Sequence, residues 1–440
     1  MSPAEVGALM IAGLVVLMVL RAPIFLAMSL AGAAGYVWLV GSAPLLNYLK
    51  GSAVSLFVSY DYSIVPLFLL MGHFAGRAGI SADLFTAANA WVGHRRGGLA
   101  MSTVLGCGAF GAICGSSIAT ASTMAAVALP EMRRHGYSGA LATGTLAAGG
   151  TLGILIPPSI VLILYAILTE QNVVKLFVAA VVPALLAVAG FLLAITVYVR
   201  LFPEEGPLGA RLPLAARLRA LRRVVPALVI FVVVFVGIYG GFFTPTEGAA
   251  IGAVVTGLYA ILAGRLGLAD FIETALETAG ATAFIFAIIF GADLFNVALA
   301  LTRVPQEMAN WIGSSGLTPY AILGLLSLLY ILLGCVMDSL SMILLTVPII
   351  FPAFMSLDFG LAPESQALWF GIITLIVVEL GMITPPMGLN LFIIAGLAGN
   401  VPNAQIYRGV SPFIAAELVR VGLIIAFPSL SYALVSYFYG

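Results

Sequence analysis

Two proline pairs, Pro157-Pro158 and Pro385-Pro386, stand inside apolar stretches, each longer than the roughly 20 residues that one bilayer crossing requires. Proline removes a backbone donor and the bond it would make one turn back, so each pair breaks the helix that carries it. Hydrocarbon tolerates such a break only where it is buried in protein or lines a cavity. The first pair follows Gly149, Gly150, Thr151 and Gly153 and precedes Ser159, so helix-weakening glycines and hydroxyls are concentrated at the break. A chain with two such interruptions must pack helices around them, which predicts an all-α polytopic membrane protein with a polar site at membrane depth.

Composition leaves no soluble alternative, because 62% of the 440 residues are hydrophobic and only 8% are charged. The 18 basic and 18 acidic side chains cancel, and no basic face interleaved with aromatics occurs, so no nucleic-acid partner is expected. Cys107, Cys114 and Cys335 form no CxxC pair, and the three histidines are scattered, which speaks against a structural metal site. The first basic residue, Arg21, follows the first apolar run and Glu5 precedes it. That is the reverse of a secretory leader, so residues 7–20 are read as part of a retained span.

In chain order, apolar spans at about 5–20, 23–41 and 52–76 precede an amphipathic segment at 81–93 and a Gly-rich apolar run at 98–130. Arg95-Arg96 and Arg133-Arg134 flank that run. The positive-inside rule puts both ends in the cytoplasm, so the run is predicted to be a re-entrant hairpin with Cys114 to Ser117 near its tip. A broken helix over about 139–170 and a return helix over 173–199 complete a first repeat, residues 1–200. Residues 201–223, rich in arginine, proline and glycine, read as a cytoplasmic linker, with both chain ends outside.

The second part, 224–440, repeats the programme. Three spans and an amphipathic segment ending in Trp311-Ile312-Gly313 (compare Trp91-Val92-Gly93) precede a hairpin at about 317–355 and a broken helix at about 366–398. An odd change of face between the parts inverts the second copy. This is the inverted-repeat plan of secondary transporters, whose discontinuous helices meet near the midplane and form substrate and ion sites.

The chemistry follows from the breaks. Freed carbonyls with Ser and Thr hydroxyls suit a hard cation such as sodium, and half-helix N-termini suit an anion. One such place combines Ser116, Ser117 and Thr120 with Gly149 to Ser159; the other combines Asp338, Ser339 and Ser341 with Thr384, Gly388 and Asn390. Ser116, Thr120 and Thr123 fall on one helix face. Small hydroxyl residues also serve plain helix packing, and that reading stays open for any one of them. Asp338 is an ionisable group in an apolar hairpin, expensive and by default functional; a structural ion pair is the other reading. Asp293 and Arg303 read as interfacial charges, the facing of Glu379 is open, and no arginine that could bind a carboxylate is evident at midplane depth.

At Gly115-Ser116-Ser117 through Thr123, Gly153 through Ser159, Asp338, and Thr384-Pro385-Pro386-Met387-Gly388, the chain resembles the large membrane subunit of tripartite ATP-independent periplasmic (TRAP) transporters. The resemblance implies an elevator-type, sodium-coupled importer of small organic acids (C4-dicarboxylate, sialic acid or keto acid type) in the bacterial inner membrane. It implies two partners, a periplasmic solute-binding protein and a small four-helix membrane subunit, the latter expected as a separate chain. The lack of an evident carboxylate-binding arginine at midplane depth leaves substrate identity largely to the binding protein. By motif, sodium ligands are expected among Ser116, Ser117, Thr120, Gly149, Thr151, Gly153, Asp338, Ser339, Thr384, Gly388 and Asn390, and substrate contacts at Ser116, Ser159 and Asp338. No organic cofactor is expected. A carboxylate transporter or ion antiporter of similar architecture that needs no binding protein is the alternative. An intramembrane enzyme is set aside, since no His-metal cluster and no Ser-His or Asp-Asp pair stands in facing spans.

Overall fold

The structure, a computed structural model, describes residues 1–386 and 388–439, apart from the side chains at 309, 312 and 313. Met387 of the second Pro-Pro motif and the side chains of the 312–313 pair after Trp311 therefore lie outside the described residues.

The chain opens with a capping box, in which Ser2 and Glu5 satisfy each other's backbone donors, and runs into α1 (Pro3–Val19) and α2 (Ile24–Leu39). The span expected at 52–76 is two helices, α3 (Ser42–Val58) and α4 (Ile64–Arg77), bent by 58°. The polar run Ser59 to Ser63 breaks it, and the Ser63 hydroxyl donates to the Tyr60 carbonyl, a local bond that competes with the helix ladder. The amphipathic α5 (Ile80–Val92) leads to a hairpin of α6 (Gly98–Cys114) and α7 (Ser117–Arg134). The first broken helix is α8 (Gly139–Leu155) and α9 (Ile160–Leu168), bent by 44°, and α10 (Val173–Leu201) returns.

Only residues 202–213 of the linker lie outside helices, since α11 (Leu214–Tyr239) begins earlier than expected and carries Arg217, Arg219, Arg222 and Arg223 on its first turns. The run of Ala, Leu and Arg from 214 to 223 favours helix intrinsically. The second half continues with α12 (Pro245–Leu262), α13 (Leu268–Leu301) and α14 (Val304–Ser314). Its hairpin is α15 (Pro319–Gly334) and α16 (Ser339–Met355), and its broken helix is α17 (Pro363–Met382) and α18 (Leu389–Ala398). Then come α19 (Asn403–Ala426) and a short terminal helix, α20 (Ser429–Tyr439). Among the described residues six helices are long and apolar enough to cross a membrane, or eight when each bent pair counts as one span.

The halves pack reciprocally. Helix α2 lies on α13 and α12 lies on α4; α6 packs on α8 as α15 packs on α17; α7 meets α18 as α16 meets α9. Exchanged contacts of this kind are what a two-fold relation between inverted repeats produces. They also bring each hairpin against the break of the other half.

The linker is bound where it leaves α10. The Gly97 N–H donates to Gly206 O at 3.1 Å and the Ser138 N–H to Glu205 O at 3.1 Å. The Glu205 carboxylate accepts from Ser138 Oγ at 2.8 Å and from the Tyr198 hydroxyl, and it pairs with Arg408 of α19 at 2.5 Å. The Tyr137 hydroxyl donates to Pro207 O at 3.3 Å. Residues 205–207 thus clasp the base of the first hairpin to the second half.

Candidate functional site

Each hairpin tip is seated on its own break through glycine. A Cβ on Gly111 would stand 2.6 Å from Gly153 Cα, and one on Gly334 would stand 3.0 Å from Gly381 Cα. Gly153 and Gly381 each lie four residues before the first proline of their pair, so equivalent positions make equivalent contacts. The first tip turns at Gly115 with φ +66°, a conformation that favours glycine, and a Cβ there would meet Pro158 O at 2.7 Å.

The breaks leave acceptors free. Gly153 and Ile154 would bond to N–H groups at 157 and 158, and Gly381 and Met382 to those at 385 and 386, but all four positions are proline. The Gly381 carbonyl accepts from Thr384 N–H instead, at 3.1 Å. On the far side, Ser159 caps α9 by accepting the Leu162 N–H at 3.2 Å.

The two tips meet across a cavity of about 70 Å³ whose walls include Ser116, Ser117, Ile160, Asp338 and Ser339. The first turns of α7, α9 and α16 all border it, and three helix N-termini together make a positive electrostatic environment. Asp338 caps α16: its carboxylate accepts the Ser341 N–H at 3.1 Å and the Ser341 hydroxyl. At about 30 Å³ per water molecule, the cavity has room for an ion with a water, not for an organic acid, in this conformation. A larger cavity, 860 Å³, is an apolar groove along α3, α4 and α13.

Behind the first tip lies an oxygen-rich cluster. Asn390, fully buried at the start of α18, donates from Nδ2 to Ser117 Oγ at 2.7 Å and to Ala147 O at 3.3 Å. Its Oδ1 and the Thr120 hydroxyl are buried with no hydrogen-bond partner among the described residues. A Cβ on Gly153 would stand 2.4 Å from Thr120 Oγ1 and 2.7 Å from Ser116 O, and one on Gly150 3.3 Å from Asn390 Nδ2. An unmatched buried acceptor costs about 1–3 kcal/mol, and oxygen acceptors gathered around a helix break are the donor set of a hard cation.

The other expected ligands are distributed differently. Gly149 lies within α8, where a Cβ would be 2.8 Å from Cys107 Sγ; its contact is with α6. Thr151 Oγ1 donates to the Ala148 carbonyl of its own helix at 2.6 Å. Thr384 Oγ1 donates to Leu380 O, and the Gly388 N–H donates to Thr384 O at 3.2 Å, so the second break closes largely on itself. Asn390, grouped with Asp338 on sequence order, sits instead with Ser117; Asp338 and Ser339 share their cavity with Ser116 and Ser117.

Two features escape sequence reasoning. Asp293 lies within α13 and accepts from Tyr48 Oη at 2.6 Å and from Ser52 Oγ of α3, partners that no local spacing indicates. Arg420, within the apolar α19, is 3% exposed and stands beside Glu379 and Glu417. The signal available was the i, i+3 spacing of Glu417 and Arg420, which puts them on one helix face.

The chain matches the family model "Tripartite ATP-independent periplasmic transporter, DctM component" over residues 11–430. It is 37% identical over 390 residues to the C4-dicarboxylate TRAP transporter large permease protein DctM of Pseudomonas aeruginosa, covering 88% of this chain and 89% of the relative. It is 30% identical over 384 residues to the sialic acid TRAP transporter large permease protein SiaM of Vibrio cholerae, covering 86% of each. Its structure resembles the crystal structure of the Alcanivorax borkumensis YdaH transporter with a TM-score of 0.66, covering 94% of this chain and 98% of that one. At 13% identity this is a likeness of fold alone.

Proposed function

The chain belongs to the tripartite ATP-independent periplasmic transporter family, as a DctM component; it is a transporter permease and not an enzyme, and from that premise we propose that it is a sodium-coupled importer of small organic acids. In this reading it lies in the bacterial inner membrane, takes substrate from a periplasmic binding protein and assembles with a small membrane subunit. The relatives' names, C4-dicarboxylate and sialic acid permeases, favour a carboxylate substrate.

One observation carries the reading: first turns of three helices from both halves border a single small cavity together with Asp338. Helix N-termini attract a carboxylate. Asp338 repels it, and two like charges 4 Å apart at an effective dielectric of 20 oppose each other by about 4 kcal/mol. A sodium ion beside Asp338 reverses that sign, so substrate and sodium each favour the other's binding. A second ion suits Thr120 Oγ1, Asn390 Oδ1 and the freed Gly153 carbonyl. Opening of the cavity to either side by movement of the hairpins and breaks together against the remaining spans completes an elevator cycle.

The test is uptake by proteoliposomes that hold this chain and its small partner, with candidate binding proteins and organic acids, against an imposed sodium gradient. Uptake should require sodium, the binding protein and the small partner together. Uptake at full rate without a binding protein would leave the binding-protein-independent reading in its place.

A further inference from the structure

Behind the second break, α17, α19 and α10 enclose three ionisable side chains. Glu379 and Glu417 are 1% exposed and Arg420 is 3% exposed. Arg420 Nη2 lies 3.5 Å from Glu379 Oε2 and in direct contact with Glu417 Oε2, while Nη1 lies 3.4 Å from Pro183 O. Glu379 Oε1, Glu417 Oε1 and Arg420 Nε have no hydrogen-bond partner among the described residues.

The formal charges do not balance: two carboxylates face one guanidinium. The buried Asp83, by contrast, pairs with its own Arg265 at 2.9 Å. Among the described residues no neighbouring element supplies the missing charge. Helices α8, α16 and α18 contain no acidic or basic side chain within their spans. Those of α10 are Lys175 in its first turn, paired with Glu364 of α17, and Arg200 in its last. From α9 and α15 come only tyrosines, of which Tyr165 donates to Ala367 O and Tyr330 meets the Thr346 hydroxyl. Helix α20 brings only Tyr432, Tyr437 and Tyr439. An uncompensated charge so deeply buried is strongly disfavoured.

We propose that Glu379, Glu417 and Arg420 form a single-proton site, in which one proton taken up by the carboxylate pair makes the cluster neutral. The step is simple protonation: one carboxylate oxygen gains an O–H, and nothing is oxidised or reduced. A proton fits where a metal ion does not, because the guanidinium already occupies the space between the carboxylates and takes the Pro183 carbonyl as well. The site is distinct from the cavity at the hairpin tips. Its place matters, since Glu379 precedes by two residues the Gly381 that seats the second hairpin, and the neutral cluster holds α19 against that half-helix.

Infrared spectra of the purified full chain in lipid at neutral pH test this. The wild type should show a carbonyl band of one carboxylic acid that shifts in deuterium oxide. Glu379→Gln and Glu417→Gln should each remove that band, since either leaves one carboxylate with one guanidinium, and should keep a thermal midpoint close to the parent's. The double variant, with Arg420 unpaired, should unfold well below both. The proposal fails if the wild type lacks the band, or if both single variants retain it. It also fails if sodium raises the thermal midpoint of the wild type and not of Glu379→Gln, which would put a sodium ion where the proton is placed. The wild-type spectrum decides the first point even if a variant does not fold.

Discussion

The two hairpin tips are built alike and charged differently. At the first, Ser116 caps α7 by accepting the Ala119 N–H at 3.4 Å; at the second, Asp338 caps α16 by accepting the Ser341 N–H at 3.1 Å. Both caps bond three residues ahead, and both tips rest on a break through a glycine pair. Serine and aspartate are comparable N-caps, so the first tip demonstrates that a neutral hydroxyl is enough to build this turn. The charge at Asp338 therefore exceeds what the fold requires. The difference teaches that the duplicated scaffold supplies geometry while the departure from two-fold symmetry supplies a charge, which is where the proposed coupling is to be tested.

The shared geometry is the part whose loss should hurt most. Alanine at Gly111 puts a Cβ 2.6 Å from Gly153 Cα, and alanine at Gly334 puts one 3.0 Å from Gly381 Cα. Overpacking of this kind costs about 1–3 kcal/mol or more. Both variants should accumulate poorly as monodisperse protein on size-exclusion chromatography, and to similar extents. Normal yield and transport by either would break the equivalence of the two seats.

Next in size is the charge itself. Asp338→Asn and Asp338→Ser keep an N-cap and should reach the membrane in normal amount, yet sodium-driven uptake should fall more than about tenfold, given several kcal/mol of charge interaction. If Asp338→Ser, which copies the first tip, transports normally at low sodium, the asymmetry has no role in coupling.

Asn390 and Thr384 sharpen the comparison between breaks. Asn390→Leu removes an unengaged buried acceptor and the bond to Ser117, a change of about 1–3 kcal/mol, and should raise the sodium concentration for half-maximal uptake about tenfold. Thr384→Ala removes a hydroxyl already spent on Leu380 O, so the same titration should move little. Equal shifts would return the second break to the cation site. The smallest effect is expected from Ser116→Ala, which loses a cap worth about 1 kcal/mol and should lower the thermal midpoint by a few degrees while retaining most uptake.

Element order, both hairpins and both breaks were legible because length of apolar run, proline pairs and flanking arginines are local signals. The bend at residues 59–63 was missed because the polar run is only five residues long, with apolar sequence on both sides and no proline or glycine within it to mark a break. Side-chain facing was not legible. Thr120 and Thr151 both stand among small residues near a break, but one hydroxyl is left unpaired and the other bonds its own helix, a choice made by packing. Asn390 reaches a partner 273 residues away, and no spacing rule specifies which break serves which tip. The same holds for Arg420, whose burial depends on α17 and α10 closing over it.

The clasp at residues 205–207 sets a mechanical limit on any transport stroke. With the base of the first hairpin, Tyr198 and Arg408 all fastened to it, the slack between that body and the start of α11 at Leu214 is at most residues 208–213, reached in full only if Gly209 leaves its close packing on Gly93. Six residues drawn straight reach on the order of 20 Å. That tether caps how far the hairpin base can travel from the foot of α11, and shortening it residue by residue would shorten the permitted excursion by about 3.5 Å each time.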